Sequence, residues 1–204
     1  DKLAEQLAKI MQTLLVKRLE SSFSAFTQSL LNLRNYTENM IRMWEKNAIF
    51  VCPQFDVNAE LDEKAKSEKR GRKVTFDECA DDIRDRIKKL NDKERNDKGQ
   101  NAEYTRDDFD PTYIDLLKAD YQLISGLYDR WSKNSEDPKL DEFKDSLKPI
   151  LFNPERNRPQ KLVIFSEAID TVNTLKRVCE NTGFKDKVLA ITAANRDEMQ
   201  PPIQ

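Results

Sequence analysis

The stretch KLVIFSEAIDTVNTLKRVCENTGFKDKVLAIT, residues 161–192, decides the fold class. Lys161-Leu162-Val163-Ile164-Phe165 is a short, nearly all-apolar β run. Residues 168–181 show helical spacing through Val172, Leu175 and Val178, and Gly183 suits the helix C-terminus. Lys187-Val188-Leu189-Ala190-Ile191-Thr192 is a second apolar run. The reading is strand, helix, strand, joined by a right-handed parallel crossover. Such a pair needs cover on both faces and both edges, so the expectation is an α/β domain that begins here and is incomplete. The tail from Asn195 to Gln204 adds no further strand, which points to a fragment of a larger protein.

Upstream, the pattern changes period. Leu3, Leu7, Ile10, Leu14, Leu19, Phe23, Phe26, Leu30, Leu33, Met40 and Trp44 recur at helical spacing with no Gly or Pro between them. Ser21, Ser22 and Ser24 sit where hydroxyls compete for backbone partners and can begin a second helix, so residues 1–50 read as two long helices or one with a bend. A turn is expected at Phe50-Val51-Cys52-Pro53. Residues 51–107 form a charged, partly disordered insertion, with 13 basic and 12 acidic residues between Glu60 and Lys98. One amphipathic helix near Asp77–Leu90 is expected inside it, flanked by linkers at 60–73 and 91–106. Asp110-Pro111 and Asp137-Pro138 each pair a cap residue with a first-turn proline, marking a helical pair over 108–152. A Pro-bearing linker, 153–159, leads into the α/β part at 160–204. The fold class expected is mostly α with a small α/β part.

Composition excludes more than it proposes. The 204 residues contain no His, which removes His-assisted triads, His-ligated zinc and imidazole acid–base catalysis. Four glycines, Gly71, Gly99, Gly126 and Gly183, cannot write a phosphate-cradling loop or a dinucleotide turn. Thirty-five basic against 37 acidic residues leave a net charge of −2, so any nucleic-acid or acidic-partner site must be local. Cys52, Cys79 and Cys179 are odd in number and far apart, which argues against a disulfide framework and for a reducing cytoplasm. The longest apolar runs fall far short of the roughly 20 residues that cross a bilayer, and residues 1–5 do not resemble a signal peptide.

Two loops are candidate sites by position. Ser166-Glu167 follows the first β run beside a helix start, and Thr192 ends the second; open α/β sheets bind ligands at such strand ends. The plainer reading is that Ser166 or Asp170 only caps the helix. Lys17 and Arg18 could meet a nucleic-acid backbone or form a solvated, internally paired face. Lys69-Arg70-Gly71-Arg72-Lys73 suits phosphates but reads first as linker, being surrounded by acids. Trp44, Trp131 and the tyrosines fall at core-facing helical positions and read as packing anchors.

Two stretches carry a family resemblance. Leu14-Leu15-Val16-Lys17-Arg18-Leu19-Glu20-Ser21-Ser22-Phe23-Ser24-Ala25-Phe26 is similar to the segment that precedes the second lobe of Swi/Snf-type superfamily-two helicases, particularly bacterial helicase-like proteins with two RecA-like lobes. Lys161–Glu167 with Asp170-Thr171 resembles helicase motif IV, the opening strand of that lobe. The order agrees, and helices of variable length separate the two stretches in the family. The resemblance implies a truncated RecA-like strand–helix–strand unit within a parent that hydrolyses ATP with Mg²⁺ to translocate on or remodel nucleic acid, duplex DNA above all. The remaining lobes are then this segment's partners. Ser166, Glu167 and Thr192 would lie near the backbone, and Lys17 and Arg18 would contact it or brace the lobe. The phosphate loop, acidic Mg²⁺ box and arginine-bearing motif are absent from these 204 residues, so no ATPase activity, ATP or Mg²⁺ binding is expected of them alone. The alternative is a helical protein–protein interaction module with no catalytic activity.

Overall fold

The computed structural model describes residues 2–62, 75–93, 101–134 and 136–196. It is mostly helical, with one small antiparallel strand pair among the described residues. Its elements are α1 (Lys2–Ser21), α2 (Phe23–Glu45), β1 (Ile49–Val51), α3 (57–62), α4 (Phe76–Lys93), β2 (Ala102–Tyr104), α5 (Tyr113–Trp131), α6 (Pro138–Ser146) and α7 (Ile169–Cys179). They group into two compact units, one from the described residues of Asp1–Leu31 and Leu127–Gln204, the other from those of Asn32–Gly126.

In the first unit the helix break falls where the serines predict it. Ser22 Oγ accepts the Ala25 N–H at 3.1 Å, which caps α2 without Gly or Pro. Asp137 caps α6 in the expected manner, accepting the Leu140 N–H at 3.1 Å with Pro138 in the first turn. After Ser146 the chain winds into a wide turn, closed by the Phe152 N–H donating to the Leu147 carbonyl at 2.9 Å. A second wide turn, Glu180–Phe184, ends the helical run after α7, with Gly183 at φ +100° where a side chain would be strained. Phe152 and Phe184 stack at 4.5 Å and join the two turns. Phe23 and Phe26 each pack against Trp131 in a T-shaped arrangement, with ring centroids at 4.9 Å. Ala25, Leu30, Leu147, Ala168 and Val178 are buried.

The apolar runs flanking α7 do not pair as strands. Residues 161–165 and 187–192 hold no strand ladder, and Phe165 is 92% and Val163 74% exposed. Apolar composition sets the appetite for burial, but a ladder needs neighbouring strands, and none of the described residues supplies one. The expected strand–helix–strand unit is therefore present only as its helix.

In the second unit α2 ends at Glu45, and Asn47, at a φ of +54°, turns the chain, while the Ala48 N–H donates to the Met43 carbonyl at 3.0 Å. Phe50 and Val51, half of the turn expected at 50–53, instead belong with Ile49 to strand β1, which pairs antiparallel with β2: Ile49 with Tyr104, Phe50 with Glu103, Val51 with Ala102. Residues 101–106 are thus ordered structure rather than linker. Thr75 and Glu78 form a reciprocal capping box at the start of α4, which covers and slightly exceeds the expected helix. Its apolar face, Phe76, Cys79, Ala80 and Ile83, joins Met43, Trp44, Ala48, Ile49, Phe50, Val57 and Leu61 in one core. The charged composition thus buries more than its average predicts, because the charges sort to the outer face. Arg84 bonds Glu103 at 2.6 Å and Asp81 at 2.9 Å, and Arg86 pairs with Glu60. α5 begins at Tyr113 rather than beside Pro111, because the Asp110 carboxylate holds an intervening turn through the Thr112 N–H and hydroxyl. Trp44 is a packing anchor as expected, whereas Tyr36 is 43% exposed. The basic run Lys69–Lys73 and most of the expected linkers lie outside the described residues, as do residues 197–204.

Ile49 has no exposed surface. Ile49→Ala should cost about 2–5 kcal/mol in the second unit. Urea unfolding read by Trp44 fluorescence, in a Trp131→Phe background, should show this loss; a change below about 1 kcal/mol would refute the core assignment.

Candidate functional site: the Ser22 junction

The first unit concentrates its polar contacts around the break between α1 and α2. Arg18, Ser21 and Ser22 stand at relative positions i, i+3 and i+4 and so share one face across the end of α1. Arg18 Nη2 donates to Asp170 Oδ2 at 2.6 Å, and its Nε donates to Ser29 Oγ at 2.9 Å. One guanidinium therefore ties α1, α2 and the first turn of α7. Thr171 Oγ1 lies 2.8 Å from both Ser21 Oγ and Ser22 Oγ. Asp137 serves two helices: Oδ1 caps α6, and Oδ2 accepts the Phe23 N–H at 3.3 Å. Lys139 Nζ donates to the Glu20 carbonyl at 2.8 Å, satisfying one of the carbonyls left open at the end of α1. Four helices thus meet at a site where Ser22 and Thr171 are buried.

The expected site residues separate into two groups. Arg18 belongs to this junction, whereas Lys17 on the preceding position is exposed. Ser166 Oγ accepts the Ala168 N–H at 3.2 Å and shapes the turn into α7, while Glu167 is exposed. Thr192 donates its N–H to Asn195 Oδ1 at 2.7 Å, and Asn195 Nδ2 returns to the Ala190 carbonyl at 3.0 Å. No hydrogen bond joins the Ser166 and Thr192 loops among the described residues. Ser29 and Asp137 were not singled out as site residues; the Asp-Pro start signal marked Asp137 as a cap but not its second partner.

Perturbed groups move away from neutral pH. Burial pushes the Cys52 thiol up to about 11, against a lowering by Arg86. Burial and then Glu180 raise Cys179. Burial, then Asp56 and Asp62, raise the Tyr36 phenol, and burial and Asp120 raise Tyr113. Bonds from Thr105 and Thr112 lower Asp108 and Asp110. Cys52 and Cys179 are thus not activated nucleophiles. All three cysteines are free thiols. No described helix is long and apolar enough to cross a membrane.

No known family model, no curated protein sequence and no solved structure matches the chain.

Arg18→Ala and Asp170→Ala, combined in a double-mutant cycle, should show a coupling of about 1 kcal/mol, reduced by salt because both side chains are partly exposed. Additive losses would mean that the pair does not couple. Thr171→Val keeps the shape but leaves two hydroxyls short of a partner, and should cost about 1–3 kcal/mol in thermal or urea unfolding. For Cys52, a pKa near 11 instead of 9 lowers the thiolate fraction about 100-fold, so maleimide labelling at pH 7.5 should be slower than for a free thiol by roughly that factor.

Proposed function

We propose that the chain belongs to an ATP-driven helicase or translocase of the Swi/Snf type, as the segment that joins the two motor lobes and opens the second. The observation that supports this reading is the Ser22 junction. The two stretches that carry the family resemblance stand 149–152 residues apart at their contact points, yet they hold each other through Arg18–Asp170 and through Ser21 and Ser22 with Thr171. A motor that turns ATP hydrolysis into movement must pass force between lobes. Directional ion pairs and hydroxyl bonds resist sliding better than an apolar contact, which has no preferred register. In this reading Arg18 positions α7 and touches no substrate.

The remaining roles follow from chemistry. The runs 161–165, exposed, and 187–192, in which Leu189 and Ile191 are exposed, become parallel strands of a RecA-like sheet when further strands lie beside them. Ser166, Glu167 and Thr192 then sit on loops at the strand ends, and Lys17 lies exposed nearby in sequence to the brace. Short polar loops of this kind position a phosphate backbone, duplex DNA in this reading, without reading bases. ATP and Mg²⁺ belong to other segments, because four scattered glycines form no phosphate cradle. A second reading, a helical interaction module without catalysis, draws on the exposed apolar face of α1.

The protein encoded by the reading frame in which this segment lies should hydrolyse ATP and do so faster with duplex DNA, whereas the 204 residues alone should not. Arg18→Ala in the longer protein should cut the DNA-stimulated rate roughly 10-fold while leaving nucleotide affinity unchanged. Absence of hydrolysis in the longer protein would overturn the motor reading. DNA binding that does not weaken as salt rises would favour the interaction module.

A further inference from the structure

We infer that the loop after α6 and the turn after α7 form a patch that binds the phosphate backbone of a nucleic acid. Residues 147–161 and 180–187 hold six basic against three acidic residues, a local charge of +3 in a chain whose net charge is −2. The cations are Lys148, Arg156, Arg158, Lys161, Lys185 and Lys187, all exposed. Among the described residues none of their side chains forms an ion pair or a hydrogen bond. Of the acids, Glu180 faces Lys176 at 3.9 Å, which leaves Glu155 and Asp186. The fold brings the two stretches together: Phe152 and Phe184 stack at 4.5 Å, and a Cβ placed on Gly183 would lie 3.9 Å from Lys148 Nζ. Like charges held this close repel one another, which favours a polyanion beside them.

Local chemistry holds the longer loop in shape. Asn157 Nδ2 donates to the Leu151 carbonyl at 2.7 Å and to the Lys161 carbonyl at 2.9 Å, so one side chain draws the two ends of the loop together. The Asn157 carbonyl accepts the Gln160 N–H at 3.0 Å and Gln160 Nε2 at 2.7 Å. Asn153 Oδ1 accepts the Glu155 N–H at 2.8 Å, and Pro154 and Pro159 restrict the backbone further. Arg156 and Arg158, on either side of Asn157, therefore stand on a preformed loop that binding need not order. A guanidinium fork fits phosphate oxygens in pairs, and lysine adds point charge beside it. A protein partner fits less well. Protein interfaces are depleted in lysine and centre on aromatic anchors, whereas four of these six cations are lysines and the two partly buried rings stack on each other. For the choice of duplex DNA among nucleic acids the inference rests on the motor reading, and it adds a contact outside the Ser166 and Thr192 loops.

Fluorescence anisotropy of a labelled DNA duplex of about 20 base pairs, titrated with the 204-residue chain without nucleotide, should show binding that weakens from about 50 to 200 mM NaCl. Arg156→Gln with Arg158→Gln should weaken it roughly 10-fold or more at the lower salt and reduce the slope of log affinity against log salt by about two. Asn157→Ala keeps every charge but releases the loop, and should weaken binding about 3-fold or more. Lys88→Gln with Lys89→Gln, exposed on α4 in the other unit, removes as much charge and should leave affinity within about 2-fold. Far-ultraviolet circular dichroism should confirm that all three variants keep their helices. The inference is overturned by absence of binding at the lowest salt, by full affinity in either loop variant, or by an equal loss in the Lys88 and Lys89 control. Displacement of the duplex by polyglutamate at equal charge concentration would overturn it too, by making an acidic protein the partner. The motor reading fails separately, by absence of ATP hydrolysis in the longer protein; a patch that binds no DNA leaves that reading with its Ser166 and Thr192 loops.

Discussion

Ser22 has one hydroxyl and two obligations. It must accept the Ala25 N–H, one of the orphan donors in the first turn of α2. It must also meet Thr171, because the site is buried and an unpaired hydroxyl there would be costly. Meeting both fixes where α1 ends, where α2 begins and how close α7 comes. Asp137 then takes the Phe23 N–H, so the start of α2 is secured from α6 as well. With the break fixed, Arg18 lies one turn before it and Ser29 two turns after, the spacing that lets a single guanidinium span both helices and still reach Asp170.

The second unit rests on a different balance. Its ion pairs, Arg84 with Glu103 and Asp81 and Arg86 with Glu60, involve largely exposed arginines, and such pairs contribute little individually. Burial carries the unit instead, through Ile49, Phe50, Leu61 and Ile83 around Trp44. The strand pair is only three residues on each side, too short to stand alone. It persists because β1 is also core: Ile49 and Phe50 are buried, and buried Asn101 beside β2 donates to Gln54 at 2.6 Å. Composition identified this region as charged; the arrangement of those charges makes it foldable.

What could be read from the sequence is what local chemistry decides. The Ser22 break, the Asp137-Pro138 start, the α4 helix and the Gly183 stop each depend on residues within a few positions of one another, and all four appear. β2 was not legible, because Ala102-Glu103-Tyr104 has no periodicity of its own and gains its conformation from a strand about fifty residues earlier. The runs around α7 failed in the opposite direction: their composition reads as strand, but pairing is a property of neighbours. The site shows the same division. Resemblance marked Arg18, the serines, Asp170 and Thr171 as two separate stretches, whereas their contact spans about 150 positions and is set by tertiary packing alone.

Both ends of α1 follow from one helix with two chemistries. At its C-terminal turn, polar groups with strict distance and angle requirements leave a single arrangement against α7. At its N-terminal half, side chains such as Leu7 and Ile10 prefer burial but impose little direction, so any apolar stripe of matching spacing satisfies them. One end of the helix is thus fixed by directional bonds, and the other carries an exposed apolar face. The C-terminal turn of α1 is thereby held in register with the Ser22 junction, and through Asp170 and Thr171 with the first turn of α7.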